Sequence, residues 1–266
     1  MVFGSGQPLI TGTQIKSLKI AFPLIAEQEK IASFLDAIAT HLTQLHRKHE
    51  LLQTYKRGVM QKIFSQQIRF KQADGTPFPD WEKKRLGDIG KLTGGGTPDT
   101  NNKDYWSGDI PWVSSSDISE DSIHKLSITR FINEKAVKES ATKVITAPSI
   151  LLISRVGVGK LAISQQLVCT SQDFSNFTPK QNNNLVFLAY LLSTKKNKLL
   201  SISQGTSIKG FTGYDISRLS LEIPAIDEQE KIATFLTGMD CKIDATKQQI
   251  QKIEKFKQGL LQKMFV

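Results

Sequence analysis

The residues best equipped for chemistry fall into small groups, and most lack the partners that chemistry needs. Asp80, Glu82 and Lys84 spell a D-x-E-x-K string. A metal-dependent nuclease would bring such carboxylates together on one cation from separate strands. Here they share one short stretch and cannot converge, so a solvated charge run is expected. Gly94-Gly95-Gly96 runs into Thr97-Pro98 rather than a Gly-Lys-Ser/Thr sequence, so it lacks the phosphate cradle of a P-loop. His41, His46 and His49 stand close together with no Cys or acidic set to complete a metal site. They are expected on a surface or in a helix seam, and no metal is expected. Neither an N-P-P-Y-like nor a G-x-G-x-x-G signature for adenine methylation occurs.

Recognition chemistry is better represented. Ser114-Ser115-Ser116-Asp117, Gln181-Asn182-Asn183-Asn184 and Gln204-Gly205-Thr206-Ser207-Ile208-Lys209-Gly210 read as polar loops. Ser, Thr, Asn and Gln offer donors and acceptors to base edges, and Arg or Lys pairs with guanine or with phosphate. The candidate DNA contacts are Lys83, Lys84, Arg85, Thr97, Lys103, Ser114, Ser115, Ser116, Arg155, Lys160, Asn183, Ser207 and Lys209. Tyr105, Trp106 and Trp112 have apolar neighbours and are expected in a core rather than stacked on bases. A plain solvated loop remains the alternative for the Asn run.

The charge agrees with a polyanionic partner. The chain carries 35 Lys and Arg against 25 Asp and Glu, a formal net charge of +10. Residues 70–220 hold 19 of the bases and 14 of the acids, which is half of the excess. A merely basic surface is the competing explanation. At 266 residues the chain can bury a core. It has no apolar run of the length that spans a membrane. The start, Met1 to Gly12, has neither the basic region nor the apolar region of a signal peptide. Cys169 and Cys241 lie far apart and build no disulfide framework, which fits a reducing cytoplasm.

What must position these groups is a repeated segment. Pro23–Phe64 matches Pro224–Phe265 without a gap, at a constant offset of 201. The anchor is Glu27-Gln28-Glu29-Lys30-Ile31-Ala32, read again as Glu228-Gln229-Glu230-Lys231-Ile232-Ala233. Ile31, Ile38, Leu45, Leu52 and Val59 recur every seventh residue, with Leu35, Leu42, His49, Lys56 and Ile63 four residues on. The second copy gives Ile232, Met239, Thr246, Ile253 and Leu260, with Leu236, Ile243, Ile250, Lys257 and Met264. Alternating steps of four and three predict a coiled-coil seam. Its apolar positions are Ile31, Leu35, Ile38, Leu42, Leu45, Leu52, Ile232, Leu236, Met239, Ile243, Ile250 and Ile253. Glu27 and Glu228 sit in first turns and Lys62 and Lys263 in last turns, as the helix dipole favours. Each rod would run roughly 57 Å. Two independent amphipathic helices are the alternative. Lys56 and Lys257 interrupt the seam at equivalent positions; such interruptions lower stability and can fix register.

Between the repeats, residues 66–80 are polar with Gly75, Pro77 and Pro79 and read as a linker. Trp81–Ile89 reads as a strand start, Ile110–Ile118 as a strand entering a polar turn, and Ser149–Val156 as a buried strand. Leu185–Leu200 has helical spacing. Short strands with few helices predict an α+β domain.

Taken in order, these residues resemble the specificity (S) subunit of type I restriction-modification systems. The carriers are Trp81 with Leu86-Gly87-Asp88-Ile89, Gly95-Gly96-Thr97-Pro98, Tyr105-Trp106, Gly108-Asp109-Ile110-Pro111-Trp112, and Gly205-Thr206 with Ile216 and Leu219. Ile223-Pro224 and the Glu228–Ala233 anchor complete the series. The resemblance implies an α+β fold: one globular target recognition domain, a mixed sheet with short helices, plus two long helices forming an antiparallel coiled coil. The expected divisions are 1–21, the tail of a first recognition domain; 22–65, the first helix; 66–80, the linker; 81–222, the recognition domain; and 223–266, the second helix. An ordinary S subunit carries two recognition domains. Here Gly4, Thr11-Gly12, Ile15 and Leu18 match Gly205, Thr212-Gly213, Ile216 and Leu219, so most of a first domain is expected to be missing.

The same resemblance implies a sequence-specific DNA-binding subunit that reads one half-site and is not itself an enzyme. Its helices would dock methyltransferase (M) subunits, and the endonuclease (R) subunit would join through the complex. A homodimer and a pairing with a second S fragment both stay open. S-adenosylmethionine, ATP and magnesium would belong to the partners, none being bound by this chain. The place would be a bacterial or archaeal cytoplasm. The competing classes are an autonomous nuclease or methyltransferase, a protein-only coiled-coil adaptor, and a non-functional recombined fragment.

Overall fold

A computed structural model describes residues 10–19, 22–203 and 210–264. The chain divides into two compact units, Leu51–Asp244 and Met1–Glu50 with Ala245–Val266. In chain order the elements are α1 (Gly12–Lys16), α2 (Ile25–Phe64), β1 (Glu82–Arg85), α3 (Leu86–Ile89), β2 (Gly90–Gly94), β3 (Ile110–Val113) and β4 (Arg130–Ile132). There follow α4 (Glu134–Glu139), β5 (Val144–Ile145), β6 (Ser149–Ile153), β7 (Leu161–Ser164), β8 (Val168–Thr170) and β9 (Phe174–Pro179). The last are α5 (Leu185–Thr194), α6 (Lys196–Ile202), α7 (Gly213–Ser217), β10 (Ser220–Ile223) and α8 (Ile226–Met264). This is a mixed α+β protein, as expected.

The larger unit is built around β6. Its sequence, Ser149-Ile150-Leu151-Leu152-Ile153, is buried throughout. Strand side chains alternate between faces, so a continuous apolar run requires cover on both. Ile150 and Leu152 enter one core with Leu161, Ile163 and the α5 residues Phe187, Leu188, Leu191 and Leu192. Leu151 and Ile153 enter another with Val113, Ile145, Val168 and Phe174. Each such side chain contributes about 1.5–3 kcal/mol by leaving water. The sheet around β6 has the order β2-β9-β6-β7, all antiparallel. The order β4-β3-β8-β5 describes the second sheet, in which β3 and β8 run parallel. A short third sheet pairs β1 with β10, bringing together the chain just after residues 66–80 and the chain just before α8.

Trp112 of β3 is buried, meets Trp106 edge-on at 5.0 Å, and donates its Nε1–H to the carbonyl of Gly96 at 3.0 Å. Trp106 and Tyr105 pack against the same small core. Burial there pushes the Cys169 thiol up to about 11.

The repeats are the long helices α2 and α8, of 40 and 39 residues. Within the larger unit they pair antiparallel. Lys56 meets Asp240 at 2.5 Å, while Ile63, further along α2, shares a core with Ile232 and Leu236, nearer the start of α8. Within the smaller unit His46 faces Glu254 at 3.5 Å, and Leu45 and Ile250 are buried. Ile232, Leu236 and Met239 are buried as well. Ile31, Leu35, Ile38, Leu42, Leu52, Ile243 and Ile253 are half-buried.

Residues 66–80 form a strap rather than a bare connection. The Arg69 guanidinium donates to both oxygens of Glu228 on α8, at 3.2 and 2.7 Å, and to the carbonyls of Phe78 and Pro79. Phe70 packs edge-on to Phe235, and the buried Phe78 lies under the Lys231 ammonium.

Candidate nucleic-acid interface

The larger unit has a cleft of about 680 Å³ lined by Leu92, Thr93, Gly94, Gly95, Ser154, Arg155, Gln172, Phe174, Ser175 and residues of 210–215. Its walls come from four chain segments. The end of β2 pairs with β9, placing Thr93 opposite Asn176 and Gly94 opposite Ser175. Gly95 then lies so near the β8–β9 turn that a Cβ would fall 2.1 Å from the carbonyl of Ser171. That approach carries Thr97 to Gln172, whose Oε1 accepts the threonine hydroxyl hydrogen. The third segment is the turn after β6. Ser154 N–H donates to Asp173 O at 2.7 Å, and Phe211 N–H donates to Ser154 O at 3.1 Å. Gly210 packs so closely that a Cβ there would sit 2.8 Å from Ser154 O. The backbone beneath Arg155 is therefore held from both sides, while its guanidinium has no partner among the described residues.

Of the sequence-derived candidates, the cleft takes Arg155 directly and Thr97 through Gln172. Others lie elsewhere with local partners. Ser114 N–H and hydroxyl donate to Asp117 at 2.7 and 3.0 Å, a capping box for the short helical turn Ser115–Asp117. Arg130 donates to Ser114 and to Asp117, and lies over the Trp112 ring. Ser115 is half-buried in that turn and Ser116 is exposed, bonded to Ser114. Lys84 pairs with Glu82 at 2.8 Å and Lys160 with Glu120 at 2.5 Å. Lys83 and Arg85 are exposed on β1, Lys103 is exposed at the start of a helical turn, and Asn183 bonds weakly to the carbonyl of Lys180. Ser207 and Lys209 lie outside the described residues. Among the described residues no cluster of His, Cys, Asp or Glu has metal-site geometry.

Sequence reasoning missed Gln172, Thr93 and Ser175. Nothing local marks them, because the β2–β9 register brings Thr93 and Ser175 to the cleft and the β8–β9 turn brings Gln172. It also missed a polar cluster where the helices meet the body. Tyr190 of α5 donates to Asp240 Oδ2 at 2.6 Å, and His124 Nε2 lies 3.0 Å from the Tyr190 hydroxyl. Lys125 pairs with Asp244 at 2.6 Å. Burial drives the Tyr190 phenol up and the His124 imidazole down.

Comparison with known proteins places this architecture. The type I restriction modification DNA specificity domain matches residues 1–53 and 79–255, and the chain belongs to that family. It is 36% identical over 207 residues to the type I restriction enzyme MjaIX specificity subunit of Methanocaldococcus jannaschii, covering 76% of this chain and 48% of that protein. With the EcoR124I/EcoR124II specificity subunit of Escherichia coli it shares 27% identity, over 81% of this chain and 52% of the relative. The chain thus spans about half the length of these curated relatives. Among solved structures, the HsdS subunit from Thermoanaerobacter tengcongensis superposes with a TM-score of 0.59 at 18% identity, over 99% of this chain and 64% of that one. The type I restriction-modification S subunit from M. genitalium gives 0.62 at 16% identity, over 100% and 68%. At these identities the likeness establishes the fold. No helix among the described residues is long and apolar enough to cross a membrane.

Proposed function

We propose that this chain is a DNA-reading specificity subunit of a type I restriction-modification complex. The body at 81–222 reads one half-site, and the paired helices hold that body and dock M subunits. The chain performs no catalysis. S-adenosylmethionine, ATP and magnesium act on the M and R subunits it recruits. The observation that carries this reading is a polar cleft able to meet DNA, where Arg155 has no partner among the described residues and sits on a fixed backbone, on a body strapped to long paired helices. Selection from a random duplex pool with the purified chain tests it. An enriched half-site is expected, and an unenriched pool contradicts the reading. A protein-only adaptor would bind no DNA.

A second recognition domain is part of this proposal, supported by a difference between the repeats. Glu228 is buried under Arg69 and the Trp81 indole N–H, and Gln229 Oε1 accepts the amide of Asn184 at 2.8 Å. The matching Glu27 and Gln28 are exposed. Yet Gln28 Nε2 donates to Pro23 O at 2.8 Å, as Gln229 Nε2 does to Pro224 O at 2.9 Å. The start of the first helix carries the seat of the second without its occupant among the described residues. A second copy or another S fragment would provide that domain.

A further inference from the structure

Among its described lining residues the cleft gathers several hydrogen-bond donors around one cation, Arg155. Gln172 Oε1 is engaged by Thr97, leaving the amide N–H groups of Gln172 outward as donors. Asp215, the acid in the lining, accepts both the amide and the hydroxyl of Thr212 through Oδ2 at 2.8 Å, which stabilises its ionised form and leaves Oδ1 as an acceptor. Ser154 donates its hydroxyl to Asp173 O at 2.9 Å. The guanidinium of Arg155, with its five donors and no acceptor, has no partner among the described residues. Thr93 and Ser175 add hydroxyls that donate as readily as they accept. At Gly94 and Gly213 nothing lies within 4 Å of where a Cβ would stand, which lets a ligand come close to the backbone.

The donors of Arg155, Gln172, Thr93 and Ser175 suit a ligand that accepts. A base pair in the major groove presents donors and acceptors together, of which a donor-only arginine can meet the guanine O6 and N7 alone. A phosphodiester presents acceptors alone and carries the charge that Arg155 complements. Resting on the reading of the chain as a DNA-binding subunit, we infer that this cleft is a sequence-independent phosphate anchor. Arg155 and Gln172 hold one backbone phosphate and set the position of the duplex, while base discrimination lies on other loops.

The test is a salt titration of the full-length purified chain on fluorescent random-sequence duplexes, comparing wild type with Arg155→Ala, Arg155→Lys and Gln172→Ala. Circular dichroism checks that each variant is folded. For Arg155→Ala we expect equal weakening on every duplex and a log K against log salt slope shallower by about 0.9, one phosphate contact. Arg155→Lys should keep the wild-type slope, and Gln172→Ala should weaken binding without altering it. Selection from a random pool should return the same half-site for wild type and Arg155→Ala. Loss of preference at a single base pair in Arg155→Ala would make Arg155 a base reader and overturn the inference. An unchanged slope would also overturn it, leaving the DNA-binding reading intact. A wild-type chain with no salt-dependent DNA binding would remove both.

Discussion

The Lys56 ammonium lies 2.5 Å from Asp240 Oδ1, with side chains only 14% and 9% exposed. A lysine in an apolar seam, which by itself destabilises a coiled coil, is here one half of a buried ion pair between α2 and α8. Asp240 also accepts from Tyr190 of α5, so the pair ties both helices to α5. Removing one member leaves a buried charge alone. Asp240→Ala should therefore cost about 3–5 kcal/mol. Replacing both, Lys56→Met with Asp240→Leu, should cost far less, because no charge is stranded. Urea denaturation followed by circular dichroism measures both.

The same cluster makes stability depend on pH. Burial, the largest influence, depresses the His124 pKa, and Lys56 acts in the same direction; Asp240 and Asp244 oppose them. Between the folded value and the ordinary value near 6.5, the unfolded chain binds more protons than the folded one. The contribution is thus complete above about pH 6.5 and is lost as pH falls toward the folded pKa. Melting curves from pH 8 to 5 should fall more steeply for wild type than for His124→Gln.

The repeats offer an internal control. Glu228→Ala strands the Arg69 guanidinium and the Trp81 N–H and should cost about 3–5 kcal/mol. Glu27→Ala, the same change in the same hexapeptide, removes an exposed carboxylate and should stay within about 0.5 kcal/mol in the chain alone. Equal losses on thermal unfolding would contradict the difference in environment.

Leu45 is 7% exposed in the smaller unit. Leu45→Asp places a carboxylate in that buried seam and should cost several kcal/mol, on the order of the penalty for an unpaired buried charge. An unchanged thermal midpoint and helical content would show that the seam is wrongly placed.

How much of this could be read in the sequence depends on the distance between cause and consequence. The long helices were legible because a heptad pattern is local and repeats. So was β6, whose run of four apolar residues matches a strand buried on both faces. Strand order was not legible: β3 lies beside β8, more than fifty residues on, and no local signal specifies that pairing. Lys56 read as an interruption because its partner Asp240 is 184 positions away. At the cleft, Arg155 and Thr97 stood out by residue type, whereas Gln172 reached it on the turn between β8 and β9. Ser114 and Asp117, read as a polar turn, have the three-residue spacing of a capping box, a signal that was present.

The central claim is that this chain chooses DNA sites for partner enzymes. Methylome sequencing tests it most directly, in cells carrying this chain as the only S protein together with its M subunit. The account predicts a modified motif containing a half-site that changes when residues 81–222 are exchanged and that disappears when the chain is deleted. Identical half-sites around a gap would identify a second copy as the partner, and unlike half-sites a different S fragment. A methylome that is the same with and without the chain would contradict the account.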